Sequence, residues 1–205
     1  MSTVVIVKKN GSVAIAADTL MSFGPLKLPA RDNRQPSKLL RIGHSIIGIT
    51  GWMVNLQVLE RVFAKAGEPP ALASVAEIFD VFQWLHAKLK EEYFLIARGD
   101  PNDAYETSQM NVLIANPYGI FSVGSQRSVV EFERFWASGS GMEYAMGAMS
   151  VMYEASITDA KNVAEAGVWT ASDFDSATGL PCEAHMMPLY SSLATENEQQ
   201  LLSKA

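Results

Sequence analysis

Residues 1–18 read MSTVVIVKKNGSVAIAAD, and this stretch predicts a β-hairpin at the start of the chain. Two apolar runs flank the dipeptide Asn10-Gly11, which readily accepts the positive φ angles of a type I′ turn. With these residues as the loop, Thr3 faces Asp18, and Ser2 lies at the carboxylate end of the hairpin. Both strands are apolar on both faces, which is typical of a sheet covered on each side. We therefore expect the start of the chain to lie in the core.

The rest of the chain alternates strand-like and helix-like patterns. Strands are predicted at 26–28, 38–42, 45–50, 110–115, 120–123, 129–135, 136–138 and 183–190. Helices are predicted at 53–66, at 74–96 with Ser74 as N-cap, after residue 141, and at 158–172 with Thr158 as N-cap. Two runs of strands, each followed by a helix pair, imply two stacked sheets with helices outside. The predicted fold class is α+β, a four-layer αββα sandwich of two antiparallel sheets.

Length and composition favour a single compact domain. The chain has 205 residues, of which 48% are apolar, so we predict one domain over 1–193 and a mobile tail over 194–205. A net charge of −6 with scattered lysines and arginines excludes a nucleic-acid surface. With Cys182 as the one cysteine and no cluster of cysteines or spaced histidines, no disulfide, metal or cofactor is predicted. Without a signal sequence or a long apolar run, a cytoplasmic location and no membrane partner are expected.

Several short motifs occur in an order that resembles a known family. They are the start STVVIVKKNG, Ala16-Ala17-Asp18-Thr19, Lys38 at the start of a strand, Ile49-Thr50-Gly51, Gly139-Ser140-Gly141 followed by Tyr144-Ala145, and Asp175-Ser176-Ala177-Thr178-Gly179. Over residues 2–190, the ordered set resembles a proteasome β-type subunit, especially the bacterial HslV-type peptidase and its β-proteobacterial proteasome homologues. The resemblance implies an N-terminal nucleophile hydrolase fold and a peptidase activity.

The resemblance also implies a catalytic set. Ser2 becomes the nucleophile once Met1 is removed, and its free α-amine becomes the general base. An α-amine suits that task because its ordinary pKa is about 7.7–8.0. Lys38 matches the family lysine that lowers the proton affinity of the nucleophile, and Asp18 matches its carboxylate partner. Gly51 matches the residue whose backbone N–H forms the oxyanion hole.

Three further residues match the groups that hold the terminal amine in the family. They are the hydroxyls of Ser140 and Thr178 and the carboxylate of Asp175. Two of them, Ser140 and Asp175, have an alternative interpretation from the sequence. Ser140 could instead cap the following helix, and Asp173 competes with Asp175. Similarly, Asp18 could be a turn former, Lys38 a solvated cation and Gly51 a helix boundary.

Two departures from the family pattern affect the expected activity. The family nucleophile is typically threonine, but position 2 is serine, which lacks the methyl group that stiffens χ1. We therefore expect weaker peptide hydrolysis. Trp52 stands where the family commonly has a second glycine. By the same matching, a mid-sized apolar pocket for the residue before the cleaved bond would be lined by Met21, Leu40, Ile49 and Met53.

The resemblance implies partners as well. They are a peptide or unfolded protein as substrate, other copies of the chain in stacked rings of six or seven subunits, and an ATP-dependent unfoldase as a candidate. Four methionines, predicted to be exposed, are compatible with helix-mediated ring stacking: Met142, Met146, Met149 and Met152. The serine at position 2 leaves two alternatives open. One is a catalytically weak or inactive ring scaffold, and the other is an amidohydrolase of the same class acting on small amides.

A serine hydrolase of another kind is not indicated. Gly139-Ser140-Gly141 does not fit the Gly-x-Ser-x-Gly nucleophile elbow, because residue 138 is serine. His44, His86 and His185 fall in a turn, a helix and a strand, with no matching serine–aspartate pattern. We therefore interpret all three histidines as structural.

Overall fold

The computed structural model describes residues 2–191 of the chain. Its strands are β1 (Thr3–Lys9), β2 (Ser12–Asp18), β3 (Met21–Phe23), β4 (Leu26–Leu28), β5 (Leu39–Ile42), β6 (Ser45–Gly51), β7 (Met110–Asn116), β8 (Gly119–Val123), β9 (Val129–Phe132), β10 (Phe135–Gly139) and β11 (Cys182–Pro188). Its helices are α1 (Met53–Lys65), α2 (Val75–Tyr93), α3 (Met142–Glu154) and α4 (Ala160–Phe174). The predicted tail, 194–205, and the end of the proposed 1–193 domain lie outside the described residues.

The strands form two principal antiparallel sheets. The first has four strands in the order β10-β1-β2-β11, and the second has five strands in the order β5-β6-β7-β8-β9. β3 and β4 form a separate small hairpin. Every strand of the first sheet is paired with an antiparallel neighbour, as is every strand of the second.

The core consists of three apolar clusters, because the strands of both sheets are apolar on both faces. Between the sheets, Val4, Ile6 and Ile15 of the first sheet pack with Leu113 and Ile120 of the second. The opposite face of the first sheet packs against α3 and α4, and the outer face of the second packs against α1 and α2. The predicted α+β fold, a four-layer αββα sandwich, is confirmed. The start of the chain lies in the core, as expected.

The first hairpin has the predicted turn and register. Asn10 and Gly11 have φ angles of 51° and 71°, the left-handed values that a type I′ turn requires. Ile6 pairs with Ile15 across the hairpin. Because the turn fixes the register, the residues before β1 come to lie beside Asp18 at the far end of β2.

Three local predictions need correction. The strand predicted at 129–135 is two strands, because the chain leaves the five-stranded sheet after Phe132 and enters the four-stranded sheet at Phe135. The long helix ends at Tyr93 rather than residue 96, since Phe94 adopts a left-handed φ of 57°. The N-cap of α4 is Asp159, not Thr158, because the Asp159 side chain accepts the N–H of Asn162.

The methionines of α3 are less exposed than predicted. Met149 is completely buried between α3, α4 and the first sheet. Met142, Met146 and Met152 are partly buried and pack against the same cluster. The helix packs its methionines inward because small residues of α4, such as Gly167, leave room for them.

Candidate active site

Ser2 is fixed against the corner between β10 and α3. It is 6% exposed, and its carbonyl accepts a hydrogen bond from the N–H of Ser140 at 3.0 Å. A Cβ atom on Gly139 would lie 1.8 Å from this carbonyl oxygen, and Gly139 has a φ of +103°. Glycine is therefore required at position 139 both for the backbone conformation and for the close approach of Ser2.

Asp18 is a completely buried carboxylate at the end of β2. Its Oδ1 accepts the backbone N–H of Thr3 at 2.9 Å and a hydrogen bond from Lys38 Nζ at 2.7 Å. Its Oδ2 accepts the N–H groups of Leu20 at 3.2 Å and Gly179 at 3.1 Å. A carboxylate that accepts this many hydrogen bonds is held in one orientation. Asp18 thereby links the start of the chain to the second sheet.

Lys38 is buried next to Asp18 and is 3% exposed. Burial lowers the pKa of Lys38 from its ordinary value, and this outweighs the opposing effect of the nearby Asp18 and Asp175 charges. This burial excludes the interpretation of Lys38 as a solvated cation. The structure therefore brings the predicted Asp18–Lys38 pair together across the two sheets.

Asp175 gathers two hydroxyls beside the start of the chain. The side chains of Ser140 and Thr178 each donate a hydrogen bond of 2.6 Å to Asp175 Oδ2. Burial acts to raise the pKa of Asp175, but the hydrogen bonds from Ser140, Thr178 and the Ala177 N–H together hold it below its ordinary value. The competing carboxylate, Asp173, is exposed in the last turn of α4.

Ser140 does not serve as a helix cap. The N-cap residue of α3 is Gly141, which makes no side-chain capping bond, while the Ser140 hydroxyl is directed to Asp175. Through the N–H of Ser140 and the carbonyl of Ser2, the same residue also fixes the chain start. Capping of α3, the alternative role that the sequence left open for Ser140, is therefore not the role that the structure shows.

A cavity of about 390 Å³ borders Ser2. Gly51 and Ser140 line it, as do Gln109, Met110 and Ser125 among others. Gly51 ends β6 with a φ of +130° and pairs with Met110. Gly51 is exposed at the end of this strand and directly precedes Trp52, the N-cap residue of α1. Ser2, Gly51 and Ser140 accordingly share one cavity.

The predicted apolar pocket is only partly assembled. Met21, Leu40 and Met53 line a second cavity of about 420 Å³, which also has polar walls from residues 33–37. Ile49 is 6% exposed and belongs to the core cluster beneath Leu40. The structure thus places three of the four predicted residues together and the fourth below them.

Three hydroxyl-bearing residues near the site were not found from the sequence: Thr3, Thr50 and Ser138. The hydroxyl of Thr3 lies 2.6 Å from that of Thr178, and a Cβ atom on Gly141 would lie 2.4 Å from Thr3 Oγ1. The hydroxyls of Thr50 and Ser138 lie 2.8 Å apart at the junction of the two sheets. The alternation of β1 could have indicated that Thr3 shares a face with other buried residues, but nothing local in the sequence pairs Thr50 with Ser138.

The histidines differ from the sequence interpretation in one respect. Nδ1 of His86 lies 2.9 Å from Ser108 Oγ, and its Nε2 lies 3.1 Å from Glu106 Oε2, so a serine and a carboxylate do flank it. Ser108 is 3% exposed, and the ring presents Nδ1 rather than Nε2 to the serine, the reverse of a hydrolytic triad. Within residues 2–191, no group of three or more acidic, histidine or cysteine side chains is arranged to hold a metal ion.

No protein-family model and no curated protein matches the sequence. Several solved structures do match the chain. Thiobacillus denitrificans BPH is 46% identical, with a TM-score of 0.87 over 91% of this chain and 98% of that chain. BPH in complex with epoxomicin is 45% identical, with a TM-score of 0.86 over the same shares of the chains. HslV from Trypanosoma brucei is 19% identical, with a TM-score of 0.61 over 91% of this chain and 99% of that chain, which supports the fold alone.

The sandwich of two antiparallel sheets between helix layers is that of the N-terminal nucleophile hydrolases. Ser2 is held against the corner between β10 and α3 of this sandwich. Within the class, the 46% identity over nearly the whole of both chains is decisive. The chain belongs to the proteasome β-type family, which includes the HslV-like peptidases and the BPH proteasome homologue.

Proposed function

We propose that the protein is a self-compartmentalising peptidase that uses Ser2 Oγ as its nucleophile after Met1 is removed. The observation that carries this proposal is the pair of hydrogen-bonded clusters converging on the chain start. Asp18 and Lys38 are anchored to the N–H of Thr3, and the Ser140–Asp175–Thr178 cluster is anchored to the carbonyl of Ser2. Such positioned donors and charges are what an otherwise weak hydroxyl nucleophile needs.

The reaction would proceed in two steps. The α-amine of Ser2 takes the Oγ proton while Oγ bonds to the peptide carbonyl carbon, and the Gly51 N–H stabilises the resulting oxyanion. The C–N bond then breaks, and the protonated amine gives its proton to the leaving amino group. Water, activated by the same amine, attacks the ester, releases the carboxylic acid and restores the Ser2 hydroxyl.

Lys38 and Asp175 contribute opposite charges to this reaction. A buried cation favours loss of the hydroxyl proton by stabilising negative charge that develops on Oγ. The ionised Asp175 stabilises the amine in its protonated form through Ser140 and Thr178. Met21, Leu40, Ile49 and Met53 form the apolar subsite in this proposal, with Ile49 acting from below Leu40 rather than at the surface.

Assembly and location are proposed on the basis of the family. Stacked rings of six or seven copies would enclose the active sites, with peptides or unfolded proteins as substrates and an ATP-dependent unfoldase as a candidate partner. No helix within residues 2–191 has the length and apolarity needed to span a membrane. We place the protein in the cytoplasm, where Cys182 would stay reduced.

Because residue 2 is serine rather than threonine, two alternative functions are considered. A scaffold that retained the fold without efficient chemistry would form the assembly but would not react at residue 2. An amidohydrolase of the same class would turn over small amides and leave a peptide panel intact. The fully bonded clusters around Ser2 favour a working catalytic site over a vestigial one.

Replacement of the nucleophile tests the proposal. Ser2→Ala is expected to abolish cleavage of a fluorogenic peptide panel while the assembly keeps its size in native mass spectrometry. Ser2→Thr, which retains the hydroxyl, is the matched control and is expected to remain active. Peptide cleavage by Ser2→Ala at the rate of the wild type would overturn the proposal.

A further inference from the structure

One wall of the Ser2 cavity is formed by a strained segment that the proposed reaction does not use. Gln109, Met110 and Asn111 line the cavity, and Gln109 has a φ of 57°. A non-glycine residue rarely adopts this left-handed conformation unless its surroundings impose it. The contacts around Gln109 therefore hold it in this conformation.

The backbone N–H, the backbone carbonyl and the side-chain NH2 group of Gln109 are engaged by neighbouring segments. Its N–H donates to Thr107 Oγ1 at 3.0 Å, and its carbonyl accepts a hydrogen bond from Asn55 Nδ2 at 3.1 Å. Its side-chain amide donates to the carbonyls of Ile96 and Arg98 at 3.1 and 3.3 Å. Gln109 is thus clamped between the first turn of α1 and the loop that follows α2.

Gln109 is also in direct contact with the proposed oxyanion donor. A Cβ atom on Gly51 would lie 2.9 Å from the Gln109 carbonyl oxygen and 3.4 Å from Met110 Cα. Gly51 therefore has no room to approach this wall any further. A shift of Gln109 changes the surroundings of the Gly51 peptide, whose N–H must point at the developing oxyanion.

The residue before Gln109 is held by a buried polar cluster. Ser108 Oγ bonds to His86 Nδ1, and the Ser108 N–H donates to the carbonyl of Ser125, another residue of the cavity wall. Arg127 donates through Nε to Gln83 Oε1 at 3.0 Å and through Nη1 to the Glu106 carbonyl at 2.7 Å. His86, Ser108 and Arg127 are 7%, 3% and 5% exposed. The cluster thus ties α2 and two loops to the back of the wall.

The protonation state of His86 sets the direction of the hydrogen bonds that its ring makes with Ser108 and Glu106. Burial lowers the pKa of His86; Arg127 and Lys90 also lower it, while Glu106 opposes the shift. A neutral ring donates from Nε2 to the Glu106 carboxylate, which can only accept, so Nδ1 accepts the Ser108 hydroxyl proton. The His86–Ser108 bond is therefore the link by which the helix fixes the segment next to Gln109.

We propose that His86, Ser108 and Arg127 are positioning residues for the reaction at Ser2. They do not contact the substrate, because they lie behind the cavity wall; they hold Gln109 so that the Gly51 N–H stays aligned with the oxyanion. This inference rests on the proposed peptidase function. It goes beyond that function in assigning the alignment of Gly51 to a cluster on α2 and the 106–108 and 124–127 loops.

Three substitutions at one position test the link. His86→Leu removes both ring hydrogen bonds. His86→Asn keeps an acceptor near the Nδ1 position for Ser108, whereas His86→Gln keeps a donor near the Nε2 position for Glu106. Thr158→Val is the matched control, since it removes the Thr158 hydroxyl between Lys9 Nζ and the Ala155 carbonyl, at the connection between α3 and α4.

Peptide turnover is measured per active site, with sites counted by covalent labelling of residue 2. His86→Leu is expected to lower kcat roughly tenfold to a hundredfold, with KM unchanged, because only the alignment in the transition state is lost. His86→Asn should restore most of kcat and His86→Gln should not. Thr158→Val should lower the melting temperature and leave kcat unchanged.

Unchanged kcat in His86→Leu, equal rescue by both amide variants, or an equal loss in Thr158→Val would overturn the inference. Amide hydrogen exchange of the assembled protein decides it independently of activity. His86→Leu should speed exchange in peptides spanning 49–53 and 107–111, and His86→Asn should not; no change in either peptide also overturns it. If residue 2 of the wild type is not labelled, the proposed function fails, and the exchange result still decides the positioning role.

Discussion

Lys38 and Lys88 each lie 2.7 Å from a carboxylate oxygen, yet the two pairs occupy contrasting regions. Lys38 and Asp18 are buried at the junction of the two sheets, with side chains 4% and 0% exposed. Lys88 and Glu92 lie on the outer surface of α2, with side chains 38% and 44% exposed. Burial lowers the pKa of Lys38, whereas the hydrogen bond to Glu92 raises the pKa of Lys88.

The difference shows that distance alone does not identify a functional ion pair. On the surface, water screens the charges and the pair contributes little. At the junction, both charges have lost water, so each depends on the other and on the N–H groups around Asp18. The junction region is consequently where a single substitution has a large effect.

The largest effect is expected from Lys38→Met compared with Lys88→Met. Lys38→Met leaves Asp18 buried without its cation and should lower the free energy of unfolding by about 3–5 kcal/mol. It should also abolish peptide turnover, because no cation remains to favour loss of the hydroxyl proton. Lys88→Met should alter neither property measurably. Denaturant unfolding and peptide assays check the pair, and equal losses in the two variants would contradict the contrast.

A smaller effect is expected from Gly139→Ala. The positive φ of Gly139 alone should cost on the order of 1–3 kcal/mol with a side chain present. The new Cβ would also displace the Ser2 carbonyl. Turnover should therefore fall by more than the loss of folded protein alone would cause. Unfolding curves and kcat per labelled site measure the two losses separately. Full activity in a stably folded Gly139→Ala protein would show that the chain start need not be fixed there.

The smallest effect, of opposite sign, is expected from Gly147→Ala in the outer helix layer. A Cβ atom on Gly147 would meet nothing within 4 Å, and the residue lies inside α3. The substitution should raise the free energy of unfolding by roughly 0.5–1 kcal/mol because glycine is a poor helix former. Turnover should not change. A loss of stability measured in the assembled protein would indicate that this surface of α3 is covered in the assembly.

Local sequence signals predicted much of the fold. The Asn10-Gly11 turn fixes the register of the first hairpin, and apolar periodicity locates the four α-helices found within residues 2–191. The errors lie where tertiary context decides: the chain changes sheets between Phe132 and Phe135, and Asp159 rather than its neighbour Thr158 caps α4.

The site was less accessible to local reasoning. The register of the hairpin places Ser2 near Asp18, but Lys38, Ser140 and Asp175 come from distant segments and were matched only through the family motifs. The His86 cluster combines α2 with the loops that contain Ser108 and Arg127, and no spacing rule links these segments. Ile49 was predicted to line a pocket surface. Because side chains alternate between the two faces of β6, Ile49 instead points into the core between the second sheet and helices α1 and α2.

The central claim is that Ser2, with its own free amine, is the nucleophile. Mass spectrometry of the assembled protein after incubation with epoxomicin, the compound bound in the BPH complex, tests it most directly. The account predicts a chain that lacks Met1 and carries one adduct, located on residue 2, with peptide cleavage lost in proportion. A chain that cleaves peptides while retaining Met1, or an inhibitory adduct on any other residue, would contradict it.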